Sequence, residues 1–240
     1  MDLTGTKILC LVIGYCFGMF QTAYIYGRIK GIDIRQKGSG NAGTTNALRV
    51  LGKKAGLYVM LADLGKIIIA VTLVYFLFRN TYPEEIYLLK LYTGLGGILG
   101  HNFPFYLGFK GGKGIAAMGG MILAFHWSYI PQNLLLFFGM VALTHYVSLS
   151  SMLLTVSFFV QTLLMCIFGG FKAYGGGEIP REILTEMIIV AFIISAMAFI
   201  RHHENIKKLL NGTERKTYVF KKNKPEADSG KSPEGQEETK

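Results

Sequence analysis

Acidic residues are scarce in this chain. Its 240 residues carry 15 Asp and Glu against 25 Lys and Arg, a formal charge of +10. Cysteine is scarcer still: Cys10, Cys16 and Cys166 each lie inside an apolar run. They show no metal-ligand spacing and no paired loop partners, which argues against a zinc ribbon or a disulfide framework. All three read as small buried hydrophobes. No HExxH motif is present, so the commonest helical zinc site is missing. The sequence also lacks a long internal repeat, and its first apolar run is not expected to be a secretory leader. That run, about 8–27, is long for a signal-peptide core. With no basic flank beyond Lys7 and no small-residue cleavage site, it reads as a retained span.

What the chain does have is oil. Hydrophobic residues make up 51% of it, in runs long enough to cross a bilayer, which needs about 20 helical residues. The expected fold is all-α, a polytopic membrane helical bundle with spans near 6–27, 56–78, 86–100, 115–128, 130–147, 149–169 and 183–200. The middle three are short and Gly-rich, so tilted, broken or partly inserted helices are expected there. Residues 1–217 read as one membrane-embedded domain. Residues 218–240, polar and poor in apolar side chains, read as a disordered tail. Two GxxxG pairs, Gly14/Gly18 and Gly96/Gly100, indicate helix packing.

In such a protein a cation excess sets orientation, and nucleic-acid binding is not implied. The loop 28–55 carries Arg28, Lys30, Arg35, Lys37, Arg49, Lys53 and Lys54 against Asp33 alone. Lys110 and Lys113 follow in the loop 101–114, and Arg201, Lys207, Lys208, Arg215 and Lys216 near the end. Seven spans put all of these on one side, leaving Lys7, Arg79, Lys90, Lys172 and Arg181 on the other. The positive-inside rule then makes the basic side cytoplasmic and the N-terminus external.

Three polar, glycine-bearing patches interrupt the oil on that basic side: GSGNAGTTNALR at 38–49, GHNFPFYLGFKGGKG at 100–114 and RHHENIKKLLNGTE at 201–214. Gly38, Gly40 and Gly43 match GxGxxG formally, but a span precedes them where a dinucleotide fold needs a strand. Their physical content remains: glycines let backbone N–H groups approach an anion, and Ser39, Asn41, Thr44, Thr45, Asn46 and Arg49 add donors. The competing reading is a polar turn with a helix cap at Thr44 or Thr45. FKGGKG is not a Walker A loop, because Leu107 stands where its first Gly belongs and Gly114 follows Lys113. Lys110 and Lys113 read equally as anion ligands or as interfacial anchors, and His101 with Asn102 equally as ligands or a helix end. In the third patch, a continuous helix would bring Arg201 and Asn205 to one face, with His202 beside Asn205 and His203 pointing away. His126 and His145 read as interface residues. Asp63 and Lys66 lie within the second span, at a spacing that lets them pair. They read either as a self-neutralised pair or as a support behind Arg49 and the first glycine loop.

Taken together and in this order, the three patches closely resemble the PlsY family of bacterial acyl-phosphate:glycerol-3-phosphate acyltransferases, over about residues 8–217. The resemblance implies a seven-span inner-membrane enzyme, active on the cytoplasmic side, that makes 1-acyl-glycerol 3-phosphate from acyl phosphate and glycerol 3-phosphate without cofactor or metal. It implies substrate contacts from Ser39, Asn41, Asn46, Arg49, His101, Lys113 and Arg201, with Lys110 and the glycines Gly40, Gly43 and Gly112 beside them, and catalytic roles for His202 and Asn205. It also implies a functional link to an enzyme that forms acyl phosphate. The residues agree with this chemistry. Two phosphates bring up to about four negative charges, and Arg49, Lys110, Lys113 and Arg201 match them. The acyl chain stays in the bilayer while the polar acceptor arrives from water. No His-x4-Asp motif of other glycerolipid acyltransferases is present. Three roles stay open at this level: His202 as base, His202 as phosphate ligand, or substrate phosphate as proton acceptor. The rival classes are an organic-phosphate transporter, which predicts paired repeats, and a basic scaffold, which leaves the glycine–amide clusters unexplained.

Overall fold

Every regular element among residues 2–218, which the computed structural model describes, is helical. In chain order these are α1 (Leu3–Gly18), α2 (Thr22–Ile29), α3 (Thr44–Leu51), α4 (Lys53–Phe78), α5 (Ile86–Asn102), α6 (Ile115–Phe125), α7 (Tyr129–Thr144), α8 (Val147–Ile167), α9 (Arg181–Arg201) and α10 (His203–Leu210). Single 3-10 turns fill Ile34–Gln36 and Phe105–Leu107. Residues 219–240 of the expected tail lie outside the described residues.

Leu3–Ile29, α4, α8 and α9 are long and apolar enough to cross a membrane. The helices in the Gly-rich middle are short, with 17, 11 and 16 residues in α5, α6 and α7. An 11-residue helix rises only about 16 Å, half a hydrocarbon core. Contacts between the connections bring the α4–α5 turn beside the α8–α9 connection, and the α7–α8 turn beside the segment after α10. Tyr174 N–H donates to Pro83 O at 2.9 Å at one end, and Thr217 N–H to His145 O at 2.8 Å at the other. The main core joins α4, α5, α6, α8 and α9 through Ile67, Leu91, Met121, Phe125, Phe158, Met187 and Ile194. Leu57, Ile69, Phe76, Leu135 and Ile200 face outward, as expected of helices whose solvent is lipid.

The two GxxxG pairs pack on each other. Gly14 lies against Thr93 O and Gly97, Gly18 against Gly97, Gly96 against Leu11 O, and Gly100 against Tyr15 O. A Cβ at any of the four would enter the opposing backbone, so α1 and α5 touch main chain to main chain. This contact corrects the reading of one cysteine. Cys10 and Cys166 are buried, but Cys16 is exposed. With Gly14 and Gly18 turned toward α5, a residue two positions from each points to the opposite side of α1.

The first span is not one helix. It breaks at Met19–Gln21, and polar groups from elsewhere take up the backbone thus released. Lys66 Nζ donates to Phe20 O at 2.6 Å, Gln21 N–H donates to the Tyr106 hydroxyl at 3.2 Å, and that hydroxyl donates to Met19 O at 2.8 Å. Gln21 is fully buried and donates to His101 O at 2.7 Å. The break therefore rests on groups that also shape the patches.

Candidate functional site

The three patches meet at one end of the bundle. In the first, the structure assigns Asn46 an inward role. It is 1% exposed, and its Oδ1 accepts from Ser39 N–H at 2.9 Å. Its Nδ2 donates to Ile34 O at 3.0 Å and Lys37 O at 3.1 Å. Gly38, at φ +64°, wraps so closely round this amide that a Cβ there would overlap Asn46 Oδ1. Asn46 thus shapes the loop that leaves Ser39 and Gly40 exposed and Asn41 half-buried. The expected cap at Thr44 or Thr45 is absent. Buried Gly43 is the N-cap of α3 and no side chain caps it. The Thr44 hydroxyl is buried without a partner. A helix start with free N–H groups and a spare hydroxyl is suited to an anion. Arg49, one helical turn on, is exposed and donates to the Thr217 hydroxyl at 3.1 Å.

Beneath the second patch lies a buried polar chain. Lys66 Nζ donates to Asp63 Oδ1 at 2.8 Å and lies 3.1 Å from His101 Nδ1. The Thr22 hydroxyl donates to Asp63 Oδ1 at 2.9 Å. An ammonium can only donate, so His101 Nδ1 accepts and its proton sits on Nε2. His101 is 2% exposed. Its Nε2 faces Gly112 so closely that a side chain there would overlap it, and its carbonyl accepts Gly112 N–H at 3.0 Å. Asp63 and Lys66 therefore support His101 and the second glycine loop, not Arg49 and the first. Asn102 is fully buried with both amide atoms unpartnered, next to Gly114.

The third patch holds that loop from the other side. Arg201 Nη2 donates to Gly112 O at 2.8 Å, and the guanidinium stacks 5.1 Å from the Phe103 ring centroid. The helix does not continue as expected: α9 stops at Arg201 and α10 starts at His203, with His202 as the joint. The joint buries His202 to 3% exposure and leaves the His203 side chain 64% exposed. Asn205 still reaches the loop, its Oδ1 accepting from Lys113 Nζ. His202 Nδ1 donates to Ala198 O at 2.7 Å, which leaves the lone pair on Nε2. Burial, reinforced by the Lys113 and Arg201 charges, pushes its pKa down to about 4, so the ring is neutral at pH 7. Burial likewise pulls Lys113 below its usual value, with Glu214 opposing the shift.

A cleft of about 370 Å³ opens at this end, lined by Arg35, Gly40, Phe109, Lys110, Gly111 and Arg201. The sequence reading passed over Arg35. Asp33 holds its guanidinium with bonds of 3.1 and 2.9 Å, and the Tyr24 ring lies 4.6 Å beneath. The short DIRQ spacing was the available signal. Glu214, Thr217 and Ser148 were passed over too, because only folding brings them to Asn205 and Arg49. A larger hollow of about 450 Å³ lies at the opposite end, by Lys172, Glu178 and Arg181. All three of these side chains are exposed. Among the described residues no three His, Cys, Asp or Glu come together as metal ligands.

Comparison with known proteins places the chain in a family. The family described as glycerol-3-phosphate acyltransferase matches residues 8–212. The glycerol-3-phosphate acyltransferase of Bacillus velezensis is 36% identical, covering 88% of this chain and 98% of its own. That of Parasynechococcus marenigrum is 37% identical, covering 88% and 90%. The crystal structure of PlsY, an integral membrane glycerol 3-phosphate acyltransferase, superposes in its glycerol 3-phosphate form with a TM-score of 0.73 at 31% identity, over 90% of this chain and 97% of PlsY. Its lysophosphatidic acid form gives 0.71. Matched in sequence and in structure along nearly its whole described length, the chain belongs to the PlsY family of multi-pass membrane glycerol-3-phosphate acyltransferases.

Proposed function

We propose that the chain transfers a fatty acyl group from acyl phosphate to the 1-hydroxyl of sn-glycerol 3-phosphate, releasing lysophosphatidate and phosphate for phospholipid synthesis. The observation that carries this reading is the meeting of Arg49, Lys110, Lys113 and Arg201 with two glycine loops at one end of a lipid-facing bundle. Two phosphates need that many cations, and an acyl chain needs the adjoining bilayer. The glycerol 3-phosphate and lysophosphatidic acid forms of PlsY support the acceptor and the product class. The charge bias supports a bacterial inner-membrane enzyme whose site faces the cytoplasm and whose N-terminus lies outside. Residues 1–217 form its catalytic domain, fed by an acyl-phosphate-forming enzyme.

Acyl phosphate is already activated, so a covalent acyl-enzyme is unnecessary and the protein supplies orientation and charge. The acceptor hydroxyl oxygen bonds to the acyl carbon as the carbon–oxygen bond to phosphate breaks. Neutral His202 offers its Nε2 lone pair to orient that hydroxyl. An imidazole of pKa about 4 is a weak final base, and the departing phosphate, which leaves with one more negative charge than it carried in the acyl phosphate, takes the proton instead. Asn205 and Lys113 hold phosphate beside it, while Ser39, Gly40, Asn41, Gly43, Arg49, Lys110, Gly112 and Arg201 bind the substrates. His101 and Asn46 act from beneath the loops. No metal takes part, so turnover continues in strong chelator.

The deciding experiment gives detergent-purified protein labelled glycerol 3-phosphate with either acyl phosphate or acyl-CoA. Labelled lysophosphatidate from acyl phosphate alone is expected. Product from acyl-CoA alone would overturn the donor assignment, and vesicle uptake without conversion would favour a transporter.

A further inference from the structure

The cation cluster contains a carboxylate that phosphate binding alone does not call for. The chain turns back after α10 through Asn211–Gly212, with Gly212 left-handed at φ +67° and Thr213 N–H donating to Lys208 O at 2.8 Å. This reversal brings Glu214 under Asn205. Glu214 Oε1 accepts from Asn205 Nδ2 at 2.7 Å and from the Ser148 hydroxyl at 2.8 Å. Ser148 is 6% exposed and sits in the first turn of α8, outside all three patches.

The following residues pin the turn in place. Thr217 N–H donates to His145 O at 2.8 Å, its hydroxyl accepts from Arg49, and Lys216 lies 5.7 Å from the Tyr146 ring centroid. Segment 213–218 is therefore a strap. It ties the α7–α8 turn to the first patch through Thr217 and to the third through Glu214.

An amide has two faces, one donor and one acceptor. A carboxylate can only accept, so it takes the Nδ2 side and turns Oδ1 toward the Lys113 ammonium, which can only donate. Without Glu214, only the Lys113 ammonium selects that orientation over its flip, and the Nδ2 side loses its partner. A flipped amide would turn two N–H groups toward a cation.

We propose that Glu214, anchored by Ser148, is a positioning residue of the acyl-transfer site that fixes the Asn205 amide so that Asn205 Oδ1 holds the Lys113 ammonium. The proposal rests on the assignment of Asn205 and Lys113 to the substrate site. A negative charge among phosphate-binding cations weakens substrate binding, and its return is order in the residues that meet the substrate.

The test is a double-mutant cycle on full-length protein in detergent, with kcat and KM for glycerol 3-phosphate measured separately and thermal melting checked for each variant. Glu214→Ala is expected to lower kcat roughly 10- to 100-fold, the range for removing one charge-assisted hydrogen bond. Its KM is expected not to rise, and to fall by no more than about threefold, because no binding cation is lost and one opposing charge is removed. Asn205→Ala is expected to cost at least as much, and the double variant no more than Asn205→Ala alone, because the two act as one unit. Ser148→Ala is expected to reproduce part of the kcat loss from a different helix. Glu204→Gln, on the exposed side of α10, is the control and is expected to match wild type. Fully additive losses, or normal kcat in a folded Glu214→Ala, would overturn the positioning role while sparing the site. Normal turnover in Asn205→Ala and Lys113→Ala would overturn the site assignment and this proposal together.

Discussion

Two of the ion pairs among the described residues, Lys7–Glu186 and Asp63–Lys66, are wired differently. Lys7 and Glu186 join α1 to α9 at 2.6 Å, with the Tyr92 hydroxyl donating to Glu186 at 2.7 Å. Their side chains are 17% and 29% exposed, and the pair lies within two turns of two helix starts. Asp63 and Lys66 pair within α4 at 2.8 Å and are only 1% and 9% exposed. Their surplus bonds run to Phe20 O, Thr22 and His101. The first pair fastens helix to helix. The second holds a helix break and a histidine beneath a glycine loop, so it costs more to bury and does more for the site.

That contrast can be broken by mutation. Lys66→Met removes the donor from Phe20 O, Asp63 and His101 at once. Turnover is expected to fall roughly 100-fold or more, the scale of an ångström-level misplacement of reacting groups. A variant that keeps wild-type kcat/KM would make the two pairs equivalent. Gly112→Ala strikes the same support from the loop side, since the new methyl meets His101 Nε2 and lies 3.2 Å from Ala42 O. A loss of roughly 10- to 100-fold is expected in the same assay, with melting temperature little changed.

Glu186→Gln sharpens the other half. An interhelical polar contact in a membrane contributes about 0.6–1.7 kcal/mol, so the variant is expected to melt a few degrees lower in detergent. Its kcat/KM is expected to stay within about twofold of wild type, because neither group nears the loops. A large activity loss would join both pairs to one mechanism.

The smallest effect is a pH dependence at the loop end. His202 titrates near 4 in the folded protein against 6.5 for the unperturbed side chain. The unfolded state therefore binds the proton first as pH falls. The neutral His202 contribution is complete above about pH 6.5 and erodes toward pH 4. Melting temperatures of wild type and His202→Asn are expected to converge as pH falls from 7 to 5. A constant gap would show that His202 titrates normally.

The helical plan was legible in the sequence because lipid selects for uninterrupted apolar runs. Each of the seven runs contains a helix, and the two GxxxG pairs meet as packing logic requires. The gathering of the patches was legible too, since alternating passes return every second connection to the same end. What escaped was set by partners far along the chain. Hydropathy cannot see the break at Met19–Gln21, because Phe20 is apolar and the cause is Lys66 and Tyr106. The joint at His202 interrupts a sequence that reads as continuous helix. Asn46 looked like a free donor, yet its amide is consumed by its own loop. Ser148 and Thr217 carry no local motif and become meaningful only beside Glu214 and Arg49.

The bond between Arg49 and Thr217 spans 168 positions of the chain. During synthesis, the arginine leaves the ribosome before the helices α4 to α10 exist, and its threonine only after all of them. A half-made protein thus lacks this tie, and the Arg49 guanidinium waits for its partner until nearly the last described residue is in place.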